Sequence, residues 1–310
     1  MSLEIFLKRS IIKENIPEEI KHFVQYIIAN KNVLAVLYYG SSLRHKNLSG
    51  ILDFYVVCNS VFEWHQAHTI KAIANYWLPP NVEYYEYNYK NTLLRAKVAI
   101  LSLKQFHRAT RINSLDTTVW ARFCQPIEIV WIKNSTVEQA ILALLVRASK
   151  VASFWSAILG PQKAHPEKFW IELFKQTYRT ELRVESSNRP ELIVQTSKSY
   201  FSTLLKWCWL NLPVPFTEDS SHNFLVNIDY ATRKKYYKRW LIRHRLGKPL
   251  NTLRLIKAAF TFKNGAQYIV WKINRHKEMN LTLTPFQSRH PLFCALWIAI
   301  KLYRNKIFSN

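Results

Sequence analysis

Apolar positions change period several times along the chain, and each change predicts an element. From about Pro17 to Asn30, Ile20, Phe23, Val24, Ile27 and Ile28 recur at helical spacing. Pro17, Glu18 and Glu19 suit a first helical turn, where proline loses no hydrogen bond and negative charge meets the dipole. Val33 to Tyr39 is then a continuous apolar run stopping at Gly40-Ser41-Ser42, which predicts a buried strand entering a tight turn. Ile51 to Val57 is a second run, interrupted only by Asp53. A buried carboxylate without a partner is strongly unfavourable. Asp53 therefore caps a strand end, is paired, or holds a metal.

Phe62 to Trp77 has the pattern of a helix ending at Pro79-Pro80. Val82 to Tyr89 and Leu93 to Leu101 alternate as strands do, with Arg95 and Lys97 set against Leu94, Ala96 and Val98. Gln105 to Ile127 is mixed, and Ile127 to Trp131 is a short strand. Helical spacing then takes over from Val137 to Leu159, from Lys168 to Arg183 and from Ser197 to Leu210. A basic segment from Arg233 to Arg245, a loop at Gly247-Lys248-Pro249, a stretch from Leu250 to Lys272 and a short helix after Pro291 complete the chain. The expected class is α+β. A domain of mixed sheet and helices spans 1–133, a mainly helical domain 134–245, and a basic C-terminal segment with a terminal amphipathic helix 246–310.

Composition narrows the possible partners. A chain that is 49% hydrophobic folds, and 44 Lys and Arg against 20 Asp and Glu leave a net charge of +24. That excess predicts an anionic partner: nucleic acid, lipid headgroups or nucleotide phosphates. Cys58, Cys124, Cys208 and Cys294 form no C-x-x-C pair, so neither a zinc site nor a disulfide framework is expected, which fits a reducing compartment. Glu4, Lys8 and Arg9 are misplaced for a secretory or transit sequence. A membrane span needs about 20 apolar residues. The best run, Leu292 to Ile300, stops at Lys301, so no transmembrane helix is expected.

Nucleotidyl transfer needs a turn that cradles a triphosphate and carboxylates that hold metal ions. Gly40 lets backbone approach phosphate, Ser41 and Ser42 offer hydroxyls, and Asp53 on the next strand faces that turn. Strand, Gly-Ser, gap and lone strand Asp together resemble the signature of the polymerase-β nucleotidyltransferase superfamily. That superfamily usually carries a second carboxylate two residues after the first; here the position is Tyr55, and the third strand presents Arg95 and Lys97.

A narrower resemblance covers more of the chain. Tyr39-Gly40-Ser41, Leu52-Asp53-Phe54 and Glu63-Trp64-His65 resemble the mitochondrial-type phosphatidate cytidylyltransferases of the translocator assembly and maintenance family, which has bacterial members. That family likewise lacks the Asp-x-Asp pair. Arg95 to Ile100 resembles its Lys-containing strand, and Trp170 to Leu173 with Tyr178, Glu181 and Arg183 its central motif, Glu181 standing where Asp is usual. Leu253 to Lys257 with Thr261 is similar to its late segment, Ala258 replacing a Gly.

The resemblance implies a polymerase-β-like fold and Mg²⁺-dependent transfer of CMP from CTP to phosphatidic acid, giving CDP-diacylglycerol and pyrophosphate. It implies that Tyr39, Gly40, Ser41 and Ser42 bind the nucleotide and that Asp53 and Glu181 hold the metal. Lys97, Arg183 and Lys257 would neutralise phosphate. Tyr237, Trp240, Leu241 and His244, falling on one helical face beside Lys234, Lys235 and Lys238, suit an anionic membrane surface, as does an amphipathic stretch from Leu292 to Tyr303. The expected location is cytoplasmic, peripheral on the inner face of the cell membrane, without a stable nucleic acid partner. Two rivals remain: a nucleotidyltransferase acting on RNA or a small molecule, and a non-catalytic binding protein, for which Tyr55 is the best support. Trp64-His65 is open between a functional role and helix packing.

Overall fold

The computed structural model describes residues 2–11, 16–45, 48–66, 69–181, 188–277 and 282–289. The N-terminal half comprises α1 (Leu3–Ile11), α2 (Glu18–Ile28), β1 (Val33–Tyr39), α3 (Ser41–His45), β2 (Ile51–Cys58), α4 (Val61–Trp64) and α5 (Ile70–Trp77). There follow β3 (Asn81–Tyr89), β4 (Thr92–Ser102), α6 (Leu103–Ala109), α7 (Thr118–Phe123) and β5 (Glu128–Ile132). After these come α8 (Ser135–Leu159), β6 (Lys163–Ala164), α9 (Pro166–Thr180), α10 (Arg189–Gln195) and α11 (Lys198–Leu210). The last are β7 (Phe216–Glu218), β8 (Phe224–Val226), α12 (Tyr230–Thr261), α13 (Gly265–Lys277) and α14 (Pro285–Arg289). The class is α+β, as the alternation of periods predicts.

The main sheet has five strands in the order β3-β4-β2-β1-β5. Only β2 and β4 pair in parallel; the other neighbours are antiparallel. The continuous apolar runs are explained by burial of both faces. Val36, Tyr38, Phe54, Val56, Val98 and Ile100 pack with Ile20, Phe23, Val24 and Ile27 of α2. The residues between them, Ala35, Leu37, Tyr55, Val57 and Ala99, pack on the other face with α7, α8, α9 and α11. A period of two thus divides each strand between two apolar cores. The second core runs unbroken from the sheet into the helices beyond residue 133.

α8 begins where the Asn134 side chain caps the Val137 N–H, and it buries Ile141, Leu145, Ala148, Ala152 and Trp155. It is long and apolar enough to cross a membrane, although 72% of its most apolar stretch is buried inside the protein. The sequence shows no such run because Arg147 and Lys150 interrupt it.

Several elements differ from expectation. α1 buries Leu3, Leu7 and Ile11, a stripe too short to stand out in sequence. The predicted helix from Phe62 to Trp77 is two helices: α4 stops at His65, Gln66 takes φ 55°, and Thr69 starts α5 by accepting from the Ala72 N–H. The predicted loop at Gly247-Lys248-Pro249 is helix, since α12 runs through it with Pro249 inside. Gly247 is there for close packing: a Cβ would stand 2.4 Å from the Thr180 carbonyl oxygen. Trp240 is not on an exposed aromatic face. It is 2% exposed and packs on Trp155, with ring centroids 5.3 Å apart, while Tyr237 and Leu241 remain exposed. α9 ends at Thr180, and Arg183 and the helix expected after Pro291 lie outside the described residues.

Candidate functional site

β1, β2 and β4 bring three functional groups to one end of the sheet. Register pairs Tyr39 with Asp53, and the parallel register of β2 with β4 pairs Asp53 with Lys97. The chain leaves β1 through Gly40, whose φ of +97° L side chains rarely adopt. A Cβ at that position would lie 2.6 Å from Asp53 Oδ2. Only glycine lets the backbone lie against this carboxylate.

Behind Asp53 opens a cavity of about 480 Å³ between the sheet, α7, α9, α10 and α12. Tyr39, Gly40, Asp53, Lys97, Glu181 and Lys257 all line it, so six positions singled out in the sequence converge from across the chain. Ser41 and Ser42 do not. They line an adjoining hollow of about 370 Å³ that also includes Asp53 and Lys97. Ser42 Oγ is buried and makes no well-formed hydrogen bond, though Tyr38 interacts with it. The two spaces meet at the Asp53–Lys97 pair. Trp64 and His65 line neither: the Trp64 indole N–H donates to Glu83 at 3.1 Å, and His65 contacts Asn75 and Asn81. They pack helix against sheet.

Cations dominate the larger cavity. Arg44, Lys97, Arg122, Arg189, Arg254 and Lys257 face two carboxylates, Asp53 and Glu181. Burial raises the Asp53 carboxyl above its ordinary value against the pull of Lys97, Arg122, Arg189 and Arg44. No hydrogen bond reaches that carboxylate among the described residues. Glu181, buried at the end of α9, accepts from the Thr117 hydroxyl at 3.1 Å. Lys97 Nζ stands 4.4 Å from the Tyr268 ring centroid, on α13.

Arg122, Arg189, Arg254 and Arg44 were not singled out for their chemistry in the sequence. Arg122 lies in the stretch of mixed periodicity, and only α7 turns it inward. Its Nη1 donates to the phenol oxygens of Tyr39 and Tyr55 at 3.1 and 3.2 Å. Arg254 donates to Asp116 Oδ2 at 2.6 Å. One turn later, Lys257 Nζ donates to the carbonyls of Leu78 and Pro80, each at 2.6 Å. Burial, reinforced by Arg254, pulls the Lys257 ammonium down to about 7. Lys257 thus ties α12 to the turn before β3 as well as facing the cavity.

The donor set suits a hard divalent cation bound jointly with a phosphorylated ligand. Among the described residues no three His, Cys, Asp or Glu side chains converge, and those lining the cavity offer two carboxylates, Asp53 and Glu181. Magnesium is commonly held by one or two carboxylates, completed by water and phosphate oxygens. A desolvated carboxyl without a hydrogen bond fits that use.

No family model matches the chain, and no curated protein matches it. Among solved structures, it is similar to a nucleotidyltransferase-like protein from Exiguobacterium sibiricum, at 9% identity and a TM-score of 0.25. That similarity covers 90% of this chain and 89% of the other. A likeness so loose carries no argument about residues or reaction.

Proposed function

We propose that the chain is a nucleotidyltransferase of the polymerase-β type, and more narrowly a phosphatidate cytidylyltransferase. The observation that carries the first part is Asp53: a desolvated carboxylate between Gly40 and Lys97, where two hollows meet beneath six cations. Two adjoining spaces sharing one metal-binding group suit a reaction of two substrates. Their excess positive charge suits substrates that are both anionic.

The acceptor phosphate oxygen of phosphatidic acid attacks the α-phosphorus of CTP in line. A new P–O bond forms as the bond to the bridging oxygen breaks, and pyrophosphate leaves with that electron pair. The acceptor is already ionised near neutral pH, so no general base is required. Magnesium held by Asp53, with Glu181 as second carboxylate, would supply Lewis-acid charge at the phosphates when bound. Tyr39 and Gly40 bound the triphosphate space, Ser41 and Ser42 the adjoining hollow, and Lys97 and Lys257 offset phosphate charge. Arg183 has the same role by resemblance alone.

The choice of CTP and a lipid rests on the sequence resemblance, supported by the surface of α12. Tyr237 and Leu241 are exposed there beside exposed Lys234, Lys235 and Lys238, a mixture that suits anionic headgroups on the inner face of the cell membrane.

The deciding assay combines the purified protein, Mg²⁺, labelled CTP and phosphatidic acid vesicles, with Asp53→Ala as control. CDP-lipid from the native protein alone is the expected result. Label on RNA instead would establish the nucleic acid rival, and no transfer to any acceptor would leave a binding protein. Flotation with anionic vesicles at low salt checks the α12 surface separately.

A further inference from the structure

Asp53 has no carboxylate partner on its own strand, and the side chain at the place where one would stand has a different task. Tyr55 shares the Asp53 face of β2 and is 2% exposed, with its ring centroid 5.3 Å from Tyr39 and 5.0 Å from Phe123. Its hydroxyl and that of Tyr39 both accept from Nη1 of Arg122. The guanidinium carbon stands 4.7 Å from the Tyr39 ring centroid and 5.6 Å from that of Tyr55. Two phenols and two aromatic rings therefore fix one guanidinium.

Arg122 lines the cavity with Asp53 and Glu181 and interacts electrostatically with both. A half-buried arginine held only by neutral phenols would be poorly compensated, so the two carboxylates justify its position. Its hydrogen bonds among the described residues come from Nη1, and Nε and Nη2 can take phosphate oxygens as a rigid fork. In a two-metal site, a second carboxylate collects a second cation that neutralises the phosphates. Here the position of that carboxylate holds the anchor of a built-in cation.

We propose that the Arg122 guanidinium takes the place of a second metal ion. It is a fixed positive charge that neutralises the transferring phosphate opposite a single Asp53-bound divalent cation. The inference rests on the nucleotidyl-transfer reading above. Tyr39 and Tyr55 are positioning residues for Arg122. The exchange accounts for Tyr55 in chemical terms: a carboxylate there would pair with Arg122 and cancel it.

The test counts metal ions. Mn²⁺ is titrated into the full chain with a CTP analogue carrying a non-hydrolysable α,β-methylene link, and bound Mn²⁺ is read by electron paramagnetic resonance. The native protein is expected to hold one Mn²⁺, and the Tyr55→Asp, Arg122→Gln double variant two. Arg122→Gln alone should still bind the analogue while losing transfer by about 10³-fold, the low end of what an arginine supplies in phosphoryl transfer. Arg122→Lys should recover part of that loss. If the double variant does not fold, the native metal count and Arg122→Lys still decide. Two Mn²⁺ in the native protein, or native transfer by Arg122→Gln, would overturn the proposal and leave nucleotidyl transfer standing. No binding of the analogue at all would overturn both.

Discussion

Two aspartates near the cavity show how one residue type is put to opposite uses. Asp116, at the start of α7, is saturated. Its Oδ1 accepts from the Thr118 N–H at 2.9 Å and the Thr118 hydroxyl at 2.6 Å, and its Oδ2 takes Arg254 at 2.6 Å. Burial alone would raise its carboxyl, but Arg254 and Thr118 together hold it below the ordinary carboxylate value. Asp53 is also desolvated, and its cations act without a hydrogen bond to it, so its carboxyl stays raised. The lesson is about completion. A finished polar cluster fastens α7 to α12, while an unfinished one presents a group with capacity left for a ligand.

The sharpest way to break this contrast is to remove each charge. Asp53→Asn should abolish transfer, with a loss on the order of 10³-fold or more, the scale set by removing one preorganised electrostatic group. Its effect on stability should have the opposite sign. Because the folded carboxyl is raised, its stabilising contribution is present only at low pH and is lost as pH rises through the folded value. Metal-free Asp53→Asn at pH 7 should therefore melt higher, by roughly 2–4 °C for a gain of about 1 kcal/mol. A calorimetric scan at pH 4 and pH 7 checks both: the difference from native should shrink at the lower pH. An unchanged or lower melting temperature at pH 7 would mean that Asp53 is paired after all.

Asp116→Asn should behave as the mirror image. Breaking a buried pair by removing one partner costs about 3–5 kcal/mol, and the loss should appear in urea midpoints. The folded carboxyl is depressed, so its contribution is present above the ordinary aspartate value and disappears as pH falls through the folded one. Native and variant stabilities should converge in strong acid. A variant equal to native at pH 7 would show that the Asp116–Arg254 clasp does not fasten α12.

The difference between the two aspartates was only half legible in the sequence. Asp53 stood out because a charge in the apolar run from Ile51 to Val57 requires a strand end, a partner or a metal, and Gly40 marked the turn against it. Asp116 gave no sign, since its partner Arg254 lies 138 residues away. Arg122 was hidden for a different reason: a short helix in a stretch without clear period decides which way it points. Gly247 and Pro249 misled because they ordinarily interrupt helices. Here the missing side chain at 247 lets α12 cross the end of α9, and a helix of 32 residues absorbs Pro249. Trp240 misled in another way, because one helical face can supply both a core residue and exposed neighbours.

A smaller perturbation tests the geometry around Asp53 rather than its charge. Gly40→Ala places a Cβ 2.6 Å from Asp53 Oδ2, closer than contact allows, and keeps an unfavourable positive φ. The backbone penalty is about 1–3 kcal/mol. Displacing the carboxylate by something like an ångström should lower transfer by about 100-fold. Activity should therefore fall further than the loss of folded protein explains, which parallel melting and rate measurements would show. Proportional losses would reduce Gly40 to a turn residue.

Lys257 carries the smallest effect and separates the two uses of charge within one side chain. Its ammonium is drawn down to about 7, so it is charged below that pH and loses its charge as pH rises through it. If the charge serves the phosphates, KM for CTP should rise through the same window. A unit charge about 4 Å from its partner in a water-screened site contributes about 1 kcal/mol, or roughly fivefold in KM. Lys257→Arg keeps the charge at every accessible pH and should flatten that limb. The carbonyls of Leu78 and Pro80 provide the competing account: the folded ammonium is depressed, so stability rises as pH climbs from the folded value towards the ordinary lysine value, the neutral amine still donating to those carbonyls. That account predicts a pH-dependent melting temperature with a constant KM. A Lys257→Met variant then decides: loss of the KM limb alone assigns the charge to substrate, and loss of the melting limb alone assigns it to the clasp between α12 and the turn before β3.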